Sequence, residues 1–274
     1  GGRVFRMWYS PENFFDLSQL KESRLEGLFE GLDQVWDLLD RLEGFIQSEV
    51  QGNVALIRSE GYFLTKAWAV QNGQVFEGVS YELGEAAKGR VKVYQQGRLL
   101  EGAALIMPGV MLCGNDIEIG DGALVESGAM IKGPAIIGPR SEVRQGAYLR
   151  GGVITSPGSV LGHVTEAKNV LMMNGAKAGH FAYLGDSVLG MNVNLGAGTK
   201  LANLKMNNLP YKLGHEGEFF KVERRKFGAI IGDETETGCN TVLNPGTLLG
   251  KKTRVLPNSS LAPGYRPGRS FLSR

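Results

Sequence analysis

A base that works near neutral pH, a nucleophile, a metal cluster or a phosphate cradle would each leave a set of residue types in the sequence, and this chain offers few. Its 274 residues hold three histidines and two cysteines. Imidazole exchanges a proton near neutrality, so His180, in the run from Lys177 to Tyr183 (KAGHFAY), is a candidate base. Read without its neighbours, the same histidine is a structural or surface side chain. Cys113 and Cys239 lie far apart and read as small side chains, buried or half-buried. The histidines and scattered carboxylates lack ligand spacing, so no metal is expected. No glycine-rich phosphate loop is present; Gly84 and Gly89 only flank helix-forming residues. Cations gather in one stretch, residues 203–228, at Lys205, Lys212, Lys221, Arg224, Arg225 and Lys226, with Phe219 and Phe220 among them. Loops that leave a rigid framework tend to carry function, but most residues of this one read as a solvated excursion.

Something must bring such scattered residues together, and the sequence contains it. From Ile119 onward an aliphatic or small residue returns at every sixth position: Ile119, Val125, Ile131, Ile137, Val143, Leu149, then Thr155, Leu161, Ala167 and Met173. After small slips of phase it resumes at Met172, Ala178 and Leu184, at Leu189, Leu195 and Leu201, and last at Ile231, Thr237, Leu243, Leu249, Val255 and Leu261. A period of six fits neither a helix nor a plain alternating strand; it belongs to a solenoid β-helix. Each hexad is one short strand and a corner, the leading side chain points inward, and glycine lets the chain turn without a clash. Forty glycines against ten prolines supply those corners. The coil is expected over 105–274, interrupted by the insertion at 203–228.

Two segments precede it. Residues 1–52 carry Leu25, Leu28, Phe29, Leu32, Val35, Trp36, Leu39, Leu42 and Ile46 at helical spacing, which predicts one amphipathic helix with Ser23 as its N-cap and Gly52 just beyond its end. Its apolar stripe must be covered by the coil, by the next segment or by another subunit. Gly1 and Gly2 are given no meaning. Residues 53–104 alternate short apolar runs with glycines and read as irregular strands leading into the coil.

Several stretches in order, KAGHFAYLGD, NVNLGAGT and the Ala202-Asn203 pair, with AYLRGG and TEAK upstream and KFGAIIGD downstream, resemble the hexapeptide-repeat acyltransferases. Within them the match is to the acetyltransferase half of the bifunctional uridyltransferase/acetyltransferases of UDP-N-acetylglucosamine synthesis, over residues 117 to 265. The resemblance implies a left-handed parallel β-helix, mainly β, and transfer of acetyl from acetyl-CoA to the amine of glucosamine-1-phosphate or a related amino-sugar phosphate. It implies His180 as general base; Arg150, Lys168 and Lys226 on the phosphate; Tyr183, Asn194 and Asn203 on the sugar; and the Ala197 N–H on the thioester oxygen. Cys239 and Pro257 would line the coenzyme groove, with Lys251, Lys252, Arg254, Arg266 and Arg269 as cations for its phosphates. It further implies a homotrimer with sites between subunits. Leu204 stands where the family has tyrosine, the insertion is longer than the family's, and no nucleotidyl-transfer domain precedes the coil, so no uridylyltransferase activity is expected. The alternative is a catalytically silent sugar-phosphate or sugar-nucleotide binding module serving a partner nucleotidyltransferase.

The rest of the composition narrows the classes. A net charge of +2 gives no support to a general nucleic-acid or membrane-surface role. Few cysteines suggest a reducing compartment, no apolar run approaches the ~18 residues of a membrane span, and a cytoplasmic protein is expected.

Overall fold

The computed structural model describes residues 7–274; the first residues of the N-terminal segment lie outside them. From residue 104 the chain winds as a parallel β-helix of about nine turns. Ile119, Val125, Ile131, Ile137, Val143 and Leu149 are all buried in one axial core, and most later leading residues join the same column; Met173 does not, since Met172 takes the inward place and Met173 packs in the cluster outside the coil. A fully buried aliphatic side chain contributes about 1.5–3 kcal/mol, so the stacked column is the main source of the coil's stability.

Each turn presents three faces. The first runs from Ala104–Ile106 through Val160–His163, Lys177–His180 and Asn194–Leu195 to Phe271–Leu272, and an antiparallel hairpin, Trp68–Gln71 with Gln74–Glu77, caps its upper end to give an 11-stranded sheet. The second runs from Met111–Cys113 through Tyr148–Leu149 and Lys200–Leu201 to Ser260–Leu261. The third runs from Ile117–Ile119 through Val153–Thr155 and Ala229–Ile231 to Gly264–Arg266. Two long strands, Glu166–Met172 and Tyr183–Leu189, continue through the bend and join the second and third faces into one 14-stranded sheet.

Third-face strands are apolar at three consecutive positions, as in Ala135–Ile137 and Ala229–Ile231. Alternation sends the middle residue outward, and Ile136, Ile154, Leu171, Val188, Ile230 and Leu248 would be exposed on a bare coil. The N-terminal segment, with Trp36, Leu38, Leu42 and Ile46, covers them together with Tyr211 and Leu213 of the insertion, so its apolar stripe packs on the coil. It is not one helix. Gly31, in the left-handed region at φ 62°, separates a short turn of helix, Glu26–Phe29, from the main helix, Leu38–Glu49. Ser23 caps neither, since its hydroxyl donates to the Leu20 carbonyl.

The lead-in forms the hairpin already described and a separate three-stranded antiparallel sheet, Ser80–Glu82, Lys92–Gln95 and Arg98–Leu99. The insertion corrects the solvated reading. It folds into a hairpin, Tyr211–His215 with Glu218–Val222. Tyr211, Leu213 and Val222 are buried, and Phe220 packs within 4.7 Å of Tyr9 and 5.4 Å of Trp36. Phe219, its neighbour on the opposite side of the strand, stays exposed.

Candidate active site

Cations collect at the bend between the second and third faces. Strand register sets Tyr148 opposite Glu166 and Glu166 opposite Tyr183, with Lys168 opposite Gly185. Arg150, Lys168 and Gly185 therefore stack at one bend on successive turns, with Asp186 next to Gly185 and in line with Asn169. The chain turns there through Gly152, Asn169 and Asp186, at φ 70°, 50° and 45°; Asn and Asp are the side chains that tolerate this left-handed conformation. Gly185 leaves room beside them, because a Cβ at that position would lie 2.5 Å from Asn203 Nδ2 and 2.9 Å from Tyr183 Oη.

Into that space fits a polar network around Asp186, which is only 4% exposed. Its carboxylate accepts from Asn203 Nδ2 at 2.7 Å and from Asn169 Nδ2 at 3.2 Å, and Lys168 Nζ lies 3.6 Å away. The Tyr183 hydroxyl donates to Asn203 Oδ1 at 3.2 Å. Arg150 Nη1 is 3.6 Å from Glu166. Lys226 arrives from the end of the insertion, where Leu204 and Lys226 form an antiparallel bridge and Phe227 N donates to Asn203 O at 2.9 Å. The Lys168 ammonium beside Lys226 lowers its pKa, burial adds to this, and Asp186 opposes it. Arg150, Lys168 and Lys226 thus meet within one chain, and an anion such as a phosphate would relieve their repulsion.

A second column runs down the bend between the first and second faces. His163 pairs in register with His180, their rings stacked at 5.8 Å. Gly198 N donates to His180 O at 3.0 Å, Asn240 N to Ala197 O at 2.8 Å and Asn258 N to Cys239 O at 2.9 Å. His180, Ala197, Cys239 and Pro257 therefore descend one bend on successive turns. His180 and Cys239 are exposed, so Cys239 departs from the buried or half-buried expectation while Cys113 is half-buried. The Ala197 N–H makes no hydrogen bond among the described residues. The two columns flank the second face, and Tyr183, three residues after His180, reaches from one toward the other.

Other expected site residues lie elsewhere. Asn194 is on the first face, between Lys177 and Glu236, outside the Asp186 network. Lys251 and Lys252 sit at the third bend, between the third and first faces, where Lys252 is 3.5 Å from Glu234. Arg254 is on the first face, 3.1 Å from Glu236, and Arg266 bonds to the carbonyls of Ala262 and Gly264. None of these cations faces the bend of Cys239 and Pro257, so the expected coenzyme set is brought together only in part. Sequence reasoning missed Asp186 and Asn169; a carboxylate straight after a strand glycine, in the run from Tyr183 to Asp186, was the available signal.

No family model matches the chain. It is 38% identical over 153 residues, 49% of its length, to a bifunctional sugar-1-phosphate nucleotidylyltransferase/acetyltransferase of Sulfurisphaera tokodaii, of which it spans 38%. It is 35% identical over 124 residues to the bifunctional protein GlmU of Methanococcus vannielii, 45% of this chain and 28% of that one. Among solved structures, the UDP-N-acetylglucosamine acyltransferase of Francisella novicida aligns at 17% identity and a TM-score of 0.36, covering 58% of this chain and 56% of that one. The chain thus spans well under half the length of the curated relatives it matches. Over about half of its own length, it is a homologue of the bifunctional sugar-1-phosphate nucleotidylyltransferase/acetyltransferases.

Proposed function

We propose that this chain is an acyl-CoA-dependent N-acetyltransferase that moves the acetyl group of acetyl-CoA onto the amine of glucosamine-1-phosphate or a related amino-sugar phosphate. The observation that carries the reading is the placement of Arg150, Lys168 and Lys226 at one edge of the second face and of His180 at the other. Cations would hold the phosphate, Tyr183 and Asn203 the sugar, and the amine would extend across the face to the imidazole. As the amine nitrogen attacks the thioester carbon, His180 takes its proton. The free N–H of Ala197, one turn below, faces the bend where the carbonyl oxygen gains charge and supports it there. Collapse breaks the C–S bond, and the imidazolium returns its proton to the departing thiolate. Acetyl-CoA is a co-substrate in this scheme. Among the described residues no cluster of three or more His, Cys, Asp or Glu could hold a metal, and no helix is long and apolar enough to cross a membrane.

The test is thiol release from acetyl-CoA over a panel of amino sugars and their 1-phosphates. The expected outcome is turnover with a 1-phosphate preferred over the free sugar, and a fall in kcat of about 10²–10⁴-fold in His180→Ala. Unchanged turnover in that variant would remove the assigned base. Equal use of the unphosphorylated sugar would remove the role of the cations.

A further inference from the structure

Lys226 differs from Arg150 and Lys168 in what holds it. Those two stand on turns of the coil, whereas Lys226 ends an insertion that crosses to the N-terminal segment and returns. Its carbonyl accepts a hydrogen bond from Arg224 Nε at 3.3 Å. Arg224 Nη1 is ion-paired with Asp40 of the helix Leu38–Glu49. The Arg224 side chain is 18% exposed, so this pair is partly shielded from water. Further along the hairpin, Trp8 Nε1 donates to Glu218 at 3.0 Å, and Phe220 sits among Tyr9 and Trp36. The insertion is thus pinned to the N-terminal cover at two places, and the nearer one ends on the backbone of Lys226. Holding two ammonium groups together before an anion arrives requires such a restraint, since repulsion from Lys168 would otherwise swing the lysine outward.

We propose that Arg224, anchored by Asp40, is a positioning residue for Lys226, so that the N-terminal segment sets the affinity of the phosphate site without touching the ligand. The inference rests on the phosphate role given to the cations above, and not on His180 or on acetyl transfer. Neither side chain is offered as a contact to substrate. The guanidinium of Arg224 suits this role because one nitrogen bonds the Lys226 carbonyl while another pairs with the carboxylate, a division that the single ammonium of lysine cannot copy.

Inorganic phosphate is the probe, titrated calorimetrically into the full chain and into Asp40→Asn, Arg224→Lys, Lys226→Ala and the Asp40→Asn/Lys226→Ala pair. Asp40 is 62% exposed on its side chain, so Asp40→Asn leaves the core intact. Both single changes in the restraint are expected to weaken phosphate about three- to tenfold, and Asp40→Asn is expected to cost nothing further once Lys226 is alanine. With the amino-sugar phosphate as substrate, Asp40→Asn and Arg224→Lys raise KM and leave kcat near its original value. An Asp40→Asn effect that persists at full size in the Lys226→Ala background, or no effect at all, overturns the proposal while the phosphate site stands. Phosphate binding unchanged in Lys226→Ala overturns the site itself and the proposal with it.

Discussion

Lys168 has the Asp186 carboxylate 3.6 Å away, while Lys226 has no carboxylate within ion-pair distance among the described residues. That asymmetry gives the anion site a pH dependence. Lys226 has its pKa lowered chiefly by Lys168, and a phosphate is attracted only by the charged ammonium. The charge is present below the lowered pKa and lost as pH rises through it, so phosphate affinity is expected to fall at a less alkaline pH than an ordinary lysine would allow. Lys168→Met removes the repelling neighbour and lifts the Lys226 pKa. Its phosphate affinity starts weaker, but the alkaline decline sets in at higher pH. Calorimetric titration of inorganic phosphate across the alkaline range checks this, and a decline at the same pH in both proteins would show that Lys226 is not the titrating group. Asp186 belongs to the same set: its buried carboxylate is saturated by Asn169, Asn203 and Lys168, which fixes the acceptor side before any ligand enters.

The coil and its cover are joined by a few specific ties as well as by apolar area. Asp233, at the third bend, is the clearest. Its backbone N–H donates to Phe14 O at 2.8 Å, while its carboxylate accepts from Asp16 N at 2.7 Å and Met191 N at 2.8 Å. Asp233→Ala leaves two partly buried N–H groups without acceptors, at a cost of about 1–3 kcal/mol for each. Denaturant unfolding should show that loss, and hydrogen exchange should quicken around residues 14–20 before it does in the coil; uniform exchange would mean that the cover and the coil open as one unit. These ties mark the limit of what the sequence revealed. Ile119 and its successors could be placed because inward-facing residues recur every six positions whatever lies outside. Trp8 and Glu218 are 210 positions apart, and no local spacing announces such a contact. The hairpin read as solvated because its charges are visible in the sequence and its buried face, Tyr211, Leu213 and Phe220, is apolar only relative to a distant cover. A usable signal did exist in the third-face triplets such as Ala229–Ile231, where three apolar residues in a row require something outside the coil. Motifs named Lys168, Arg150 and Asn194 alike, but only the register shows that the first two stand at one bend and Asn194 on the first face, since motif order does not say which face of a turn a residue occupies.

With the third face covered by residues 7–50 and the insertion hairpin and the upper first face by the lead-in, the second face and the lower first face are left to the solvent, and both candidate columns border the second. Leu204, bridged to Lys226, is exposed, as are Met206 and Leu209 further along the insertion. A homotrimer, the assembly that the resemblance implies, would place another copy against the exposed edges and close the groove over a bound acceptor. Which groups come from which copy can be tested without a structure of the assembly. Tyr183 follows His180 in one strand connection and bonds directly to Asn203, which bonds to Asp186, so the base and the phosphate cations are expected to serve the same acceptor from a single chain. Mixed trimers refolded from His180→Ala and Lys168→Ala chains should then show no more turnover than the two variants assayed apart, because every site carries one defect or the other. Light scattering on the same samples must show three copies of 29.6 kDa per particle. Recovery toward a substantial fraction of the unmutated rate would mean that some sites draw an intact His180 from one copy and an intact Lys168 from its neighbour, which would move the acceptor from the second face of one chain to the seam between two.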